Sequence, residues 1–206
     1  MINRIILAAL AASVAAFPAF AQVAPPTVAV APAPTDDLVR VTIETSEGPI
    51  TLALDRGRAP VTARNFLDYV DKGKFDGETI YRAMPYDKGG LIQGGILSDG
   101  RKIAPPIAHE PTSQTGLKHV AGAISMAASG PGTAQADFFI LTEDMPAFDA
   151  TPGDPGFAVF GRVVEGIEVV KRILALPVSP TRGEGSMKGQ MLEPAVGISK
   201  AARVAE

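Results

Sequence analysis

Val39, Val41 and Ile43 alternate with Arg40, Thr42 and Glu44, a period of two that turns one face toward a core and leaves the other in water. Ser46-Glu47-Gly48 supplies a turn, and Ile50, Leu52 and Leu54 then repeat the alternation, so the two runs predict a hairpin. From Pro60 the period changes. Ala63, Phe66, Leu67 and Val70 fall at i, i+3, i+4 and i+7, one face of a helix opened by a proline and closed near Gly73. Strand-like runs recur at residues 79–84, 91–93, 120–127, 138–142 and 157–164, and residues 194–204 supply a closing strand. Ile167, Val170, Ile173 and Leu174 mark one side of a second helix over residues 167–176.

Eight short runs with glycine and proline between them, and only two helices, exclude a doubly wound α/β sheet. A mainly β fold is expected, a closed eight-stranded antiparallel barrel capped by two α-helices, because closure leaves no exposed edge strand. About 170 residues, 37–206, make one domain with a sizeable core.

The first residues follow other rules. Arg4, the apolar stretch of residues 5–17 and the small-x-small triplet Ala19-Phe20-Ala21 read as a signal peptide over residues 1–21, leaving Gln22 at the mature N-terminus. The apolar stretch is shorter than the ~20 residues that span a bilayer, so no membrane association is expected after cleavage, and export to a bacterial periplasm is. Residues 22–36 are rich in proline and alanine, the composition of an extended linker. The chain has no cysteine, which excludes disulfides, thiolate catalysis and cysteine-bound zinc. With 19 basic and 22 acidic residues interspersed to a net charge of −3, no stripe of charge points to nucleic acid or to a membrane surface.

The candidate chemistry lies in Tyr81-Arg82-Ala83-Met84-Pro85-Tyr86-Asp87-Lys88-Gly89-Gly90-Leu91-Ile92-Gln93-Gly94-Gly95, in Ser125-Met126-Ala127 and in Asp137-Phe138-Phe139-Ile140-Leu141. One cation, one amide and several large apolar side chains suit an uncharged, apolar segment such as Xaa-Pro better than hydrolysis or redox work. Ser125 lacks the Gly-x-Ser-x-Gly setting of a hydrolase nucleophile. The glycines of residues 89–95 lack dinucleotide-binding spacing, and His109, Glu110 and His119 lack metal-ligand spacing, which leaves them as loop or structural residues. No metal and no cofactor is expected.

In order along the chain, Pro60-Val61-Thr62-Ala63-Arg64-Asn65-Phe66, Tyr81-Arg82, Gln93-Gly94-Gly95, His109-Glu110, Gly116-Leu117-Lys118-His119, Ser125-Met126-Ala127, Phe138-Phe139-Ile140 and Phe157-Ala158-Val159-Phe160-Gly161 resemble the cyclophilin-type peptidyl-prolyl cis-trans isomerases, and within them the secreted bacterial branch. The resemblance implies that Arg82 is the catalytic arginine and Gln93 the glutamine that positions it. It implies a proline pocket of Leu91, Phe139 and Phe148, with Ala127 meeting the peptide backbone. It also implies proline-containing polypeptides as partners and a monomer that needs no cofactor. Three departures stand out. The stretch from Arg82 to Gln93 is three residues longer than the family's usual spacing, and Gly90 replaces a pocket phenylalanine, whose place Tyr86 is expected to refill. Asp137 replaces a glutamine that contacts the peptide, exchanging a donor for a carboxylate that only accepts. Ala147 and Phe157 stand where the best-known eukaryotic members have Trp and His. A second class of function on the same fold is a proline-segment binding module or chaperone with little catalysis, and the intact set of Arg82, Gln93 and Phe139 favours the enzyme.

Overall fold

A computed structural model describes residues 37–205; the signal peptide and linker read from the sequence fall outside the described residues. Strands β1 (Leu38–Thr45) and β2 (Gly48–Asp55) form the expected hairpin, with Val41 opposite Leu52 and Ile43 opposite Ile50. Strands β3 (Thr79–Tyr86), β4 (Gly89–Gly95), β5 (Ala123–Met126), β6 (Phe138–Leu141), β7 (Ala158–Glu165) and β9 (Met191–Arg203) complete a barrel in the order β1-β2-β7-β5-β6-β4-β3-β9. Pairing of β9 with β1 closes it, every pairing is antiparallel, and the two-residue β8 (Val178–Ser179) adds to β9. Eight strands thus close on themselves, and among the described residues no long edge is left to template association.

The alternation seen in the sequence is the inside-outside alternation of the barrel. Val41, Ile43, Ile50, Leu52 and Leu54 are buried in its interior. Helix α1 (Pro60–Asp71) lays Ala63, Phe66, Leu67 and Val70 against the same core. The Phe66 ring lies 5.0 Å from Phe75, 5.4 Å from Phe138 and 5.3 Å from Phe160. The first turn of α1 lacks a side-chain cap from Ala59. Glu110 supplies it from across the fold, accepting from the Val61 and Thr62 amides at 3.1 and 2.8 Å and from the Thr62 hydroxyl at 2.7 Å. A carboxylate there satisfies orphan N–H groups and complements the helix dipole, so Glu110 is structural, as the sequence suggested.

The single turn α2 (Thr112–Thr115) and the two-residue β8 are too short to show a period in the sequence. Helix α3 (Ile167–Leu174) buries Val169, Val170 and Ile173 and packs Ile167 and Leu174 against the core's edge. The largest difference concerns the insertion between Arg82 and Gln93. It lengthens the β3–β4 hairpin, pairing Met84 with Leu91, Pro85 with Gly90 and Tyr86 with Gly89. Gly90 has φ +141°, and a Cβ there would sit 2.1 Å from the Met84 carbonyl oxygen. The longer hairpin therefore excludes the family's phenylalanine sterically.

Candidate active site

Strands β3, β4 and β6, the residues that follow β5, the 3-10 turn Pro146–Phe148 and the segment leading into β9 converge on a cavity of about 680 Å³. Its lining includes Arg82, Met84, Leu91, Gln93, Ala127, Asp137, Phe139, Phe148, Phe157, Met187 and Met191. Arg82 and Gln93 are cross-strand partners of β3 and β4, and Gln93 in turn faces Phe139 on β6. Neighbouring strands in register thus bring the cation, the amide and the aromatic floor together.

The guanidinium is held on two edges. Its Nη1 donates to Gln93 Oε1 at 2.7 Å, while Nε and Nη2 both donate to Gln190 Oε1, at 2.8 and 2.6 Å. Nη2 also reaches Met84 Sδ at 3.4 Å. Of the five donors of an arginine, one on Nη1 and the weakly engaged one on Nη2 are thereby left to meet a ligand. Burial pulls the Arg82 pKa below its ordinary value, yet an arginine stays charged throughout the physiological range.

Behind Gln93 runs a short chain of polar groups. Gln93 Nε2 donates to the Tyr81 hydroxyl at 2.8 Å, and that hydroxyl donates to Asp137 Oδ2 at 3.1 Å. Burial, followed by the Asp137 charge, pushes the Tyr81 phenol well above its ordinary range, so it remains a donor. Burial also raises the Asp137 pKa, with the bonds from Tyr81 and the Ile96 amide opposing it. Gly95 makes room for this carboxylate, since a Cβ at that position would lie 1.9 Å from Asp137 Oδ1.

The apolar side of the cavity is an aromatic corner. Phe139 meets Phe148 at 5.8 Å and Phe157 at 5.4 Å, both nearly perpendicular, and Phe148 meets Phe157 at 5.2 Å. Edge-to-face contacts of this kind favour a fixed arrangement of rings. The His119 ring stacks on Phe139 at 6.0 Å. Its Nδ1 bonds Asp149 at 2.8 Å and its Nε2 bonds the Ser125 hydroxyl at 3.0 Å. Asp149, His119 and Ser125 are thus joined in the order of a hydrolytic charge relay, but His119 is 1% and Ser125 0% exposed. No substrate reaches that hydroxyl, and the trio acts as a brace for the pocket floor.

Burial holds the His119 pKa below its ordinary value of 6.5, although Asp149 favours the cation. The unfolded chain therefore takes up a proton near pH 6.5 that the folded imidazole resists. The contribution of His119 to stability is expected to be full above that pH, to fall as pH drops toward the folded pKa, and to change no further below it. Urea midpoints measured across this window should show the slope, and His119→Gln should remove it.

The structure gathers Arg82, Gln93, Leu91, Ala127, Asp137, Phe139 and Phe148 around one cavity. Tyr86 does not join them: it is 61% exposed at the tip of the lengthened hairpin, because that hairpin carries it past the pocket instead of back into the wall. Asp137 borders the cavity, but its carboxylate accepts from Tyr81 and Ile96 rather than standing free. The sequence offered no sign of Gln190, Met187 or Met191, which reach the site from a segment without period. Phe157, already noted as a replacement, belongs to the aromatic corner.

With this geometry in view, residues 40–200 match the family model described as "Cyclophilin type peptidyl-prolyl cis-trans isomerase/CLD". The chain is similar to peptidyl-prolyl cis-trans isomerase A of Dickeya dadantii, with 41% identity over 137 residues, 65% of this chain and 70% of that protein. It is similar to an Acinetobacter baylyi peptidyl-prolyl cis-trans isomerase at 35% identity, covering 68% of this chain and 73% of that one. The crystal structure of a Cryptosporidium parvum cyclophilin type isomerase shares the fold, with a TM-score of 0.66 at 21% identity over 82% of this chain and 99% of that chain. The chain belongs to the cyclophilin-type peptidyl-prolyl cis-trans isomerase family, and it is an enzyme of that class.

Proposed function

We propose that this isomerase works on Xaa-Pro bonds of exported polypeptides, as a monomer of the secreted bacterial branch, and that Arg82 stabilises the twisted state of the bond. Amide resonance gives that rotation a barrier of about 18–20 kcal/mol. Twisting breaks the conjugation, so the nitrogen pyramidalises and becomes a better hydrogen-bond acceptor. The observation that carries the mechanism is the Arg82 guanidinium, held by Gln93 and Gln190 at the edge of an apolar cavity with N–H groups to spare. The ring of proline would anchor against Leu91, Phe139 and Phe148 while the preceding carbonyl swings. Water excluded from that corner strengthens the charged bond, and each ~1.4 kcal/mol of preferential stabilisation is a factor of ten in rate. The scheme uses no nucleophile, metal or cofactor.

What supports the exported setting is the leader of residues 1–21, followed by the proline-rich linker. The mature protein is expected to start at Gln22 and to be recovered from the periplasm; N-terminal sequencing that finds Met1 on cytosolic protein would refute this. The activity itself is read in a protease-coupled assay on a short Xaa-Pro peptide. Saturable binding without turnover would favour the proline-segment binder instead.

A further inference from the structure

We propose that Gln190 is a second positioning residue for Arg82, independent of Gln93, so that two jaws set the plane of the guanidinium. The inference rests on the reading that Arg82 drives the rotation, and it deepens that reading by assigning a task to the segment before β9.

Gln190 lies 108 positions from Arg82 in the chain, yet it is delivered by fixed backbone. Its carbonyl accepts from the Ala83 amide at 2.9 Å, directly beside Arg82, and its own amide donates to the Met187 carbonyl at 3.1 Å, across the turn that follows the 3-10 turn Gly185–Met187. With both backbone groups engaged, the side chain has a defined origin. One amide oxygen then takes the Nε and Nη2 hydrogens together. Two adjacent donors on one acceptor fix the rotation of a planar fork, which a single bond to Gln93 leaves free to pivot.

The opposite jaw has its own direction. A tyrosine hydroxyl carries one hydrogen, and in Tyr81 it goes to the carboxylate of Asp137. The Tyr81 oxygen is therefore available only as an acceptor toward Gln93. That turns the Gln93 NH2 toward Tyr81 and its oxygen toward Arg82, the orientation a cation requires. Asp137 and Tyr81 thus act through Gln93, whereas Gln190 acts without it. The segment that delivers Gln190 also lines the cavity with Ser186 and Met187, so one element both bounds the site and aims its cation.

The test combines turnover with a direct view of Arg82. Gln190→Met keeps the side-chain shape but removes the acceptor, and Gln190→Glu keeps an acceptor. Gln190→Met is expected to lower kcat about tenfold with KM little changed, since one charged hydrogen bond is worth roughly that factor. Gln190→Glu should recover most of the loss. In the NMR spectrum of the full protein, the Arg82 Nε–H signal should be slow to exchange in the wild type and in Gln190→Glu, and fast in Gln190→Met. A double-mutant cycle separates the jaws. Gln93→Ala and Gln190→Met should multiply to about a hundredfold loss, while Asp137→Ala should add nothing once Gln93 is gone. A folded Gln190→Met protein with unchanged kcat and a slow Arg82 Nε–H signal would overturn the inference. The NMR arm needs no catalysis, so a wild-type protein with no turnover, yet with this signal dependent on Gln190, would sink the catalytic reading of Arg82 and leave the clamp standing.

Discussion

Arg82→Ala is expected to lower kcat/KM on an Xaa-Pro peptide by two decades or more and to leave the barrel folded. The loss follows from removing a charged donor that acts on the twisted bond, worth about 3 kcal/mol. The fold survives because the partners of Arg82 are the neutral amides of Gln93 and Gln190, so its removal leaves no buried charge unpaired. Arg82→Lys should be nearly as poor. An ammonium is a point charge and does not present Nε, Nη1 and Nη2 to two amides at once. Circular dichroism and a thermal melt of each variant, run beside the kinetics, separate lost chemistry from lost structure.

Phe66→Ala should do the reverse, costing stability of ~3–5 kcal/mol with little change in activity per folded molecule. Phe66 has no exposed surface and touches the rings of Phe75, Phe138 and Phe160. Deleting it opens a hole where helix α1 meets the barrel. A loss of that size is a large share of the ~5–15 kcal/mol typical of a folded domain, and a urea titration would show it as a lowered midpoint. The cavity is shielded because Phe138 and Phe139 point to opposite faces of β6: Phe138 joins the main core and Phe139 the site cluster. A midpoint that barely moved would mean that Phe66 is not a core anchor.

What was legible in the sequence is what repeats or what neighbours bring together. The β1–β2 hairpin shows because period two is the period of inside and outside, and α1 shows because its buried residues keep helical spacing. Arg82 and Gln93 could be read as a pair because the family resemblance carries both and adjacent strands set them side by side. Gln190 stayed hidden because it meets Arg82 by chain closure across 108 positions, from a segment with no pattern. The cap from Glu110 was invisible in detail for the same reason, reaching α1 across 48 positions. Tyr86 was misplaced because composition says nothing about which way a lengthened hairpin points. Asp137 was legible as a carboxylate in place of an amide at the cavity, but no local signal reveals the bonds it accepts from Tyr81 and the Ile96 amide or the room that Gly95 leaves it.

The most direct measurement is two-dimensional exchange NMR on one Xaa-Pro peptide, with wild-type and Arg82→Ala proteins at matched occupancy. It reports binding and cis-trans rotation in the same sample, on a bond whose uncatalysed rotation takes tens of seconds or more. Similar occupancy is expected for both proteins, with fast exchange cross-peaks for the wild type and exchange slowed by two decades or more for Arg82→Ala. Equal rotation rates in two folded, equally occupied proteins would contradict it.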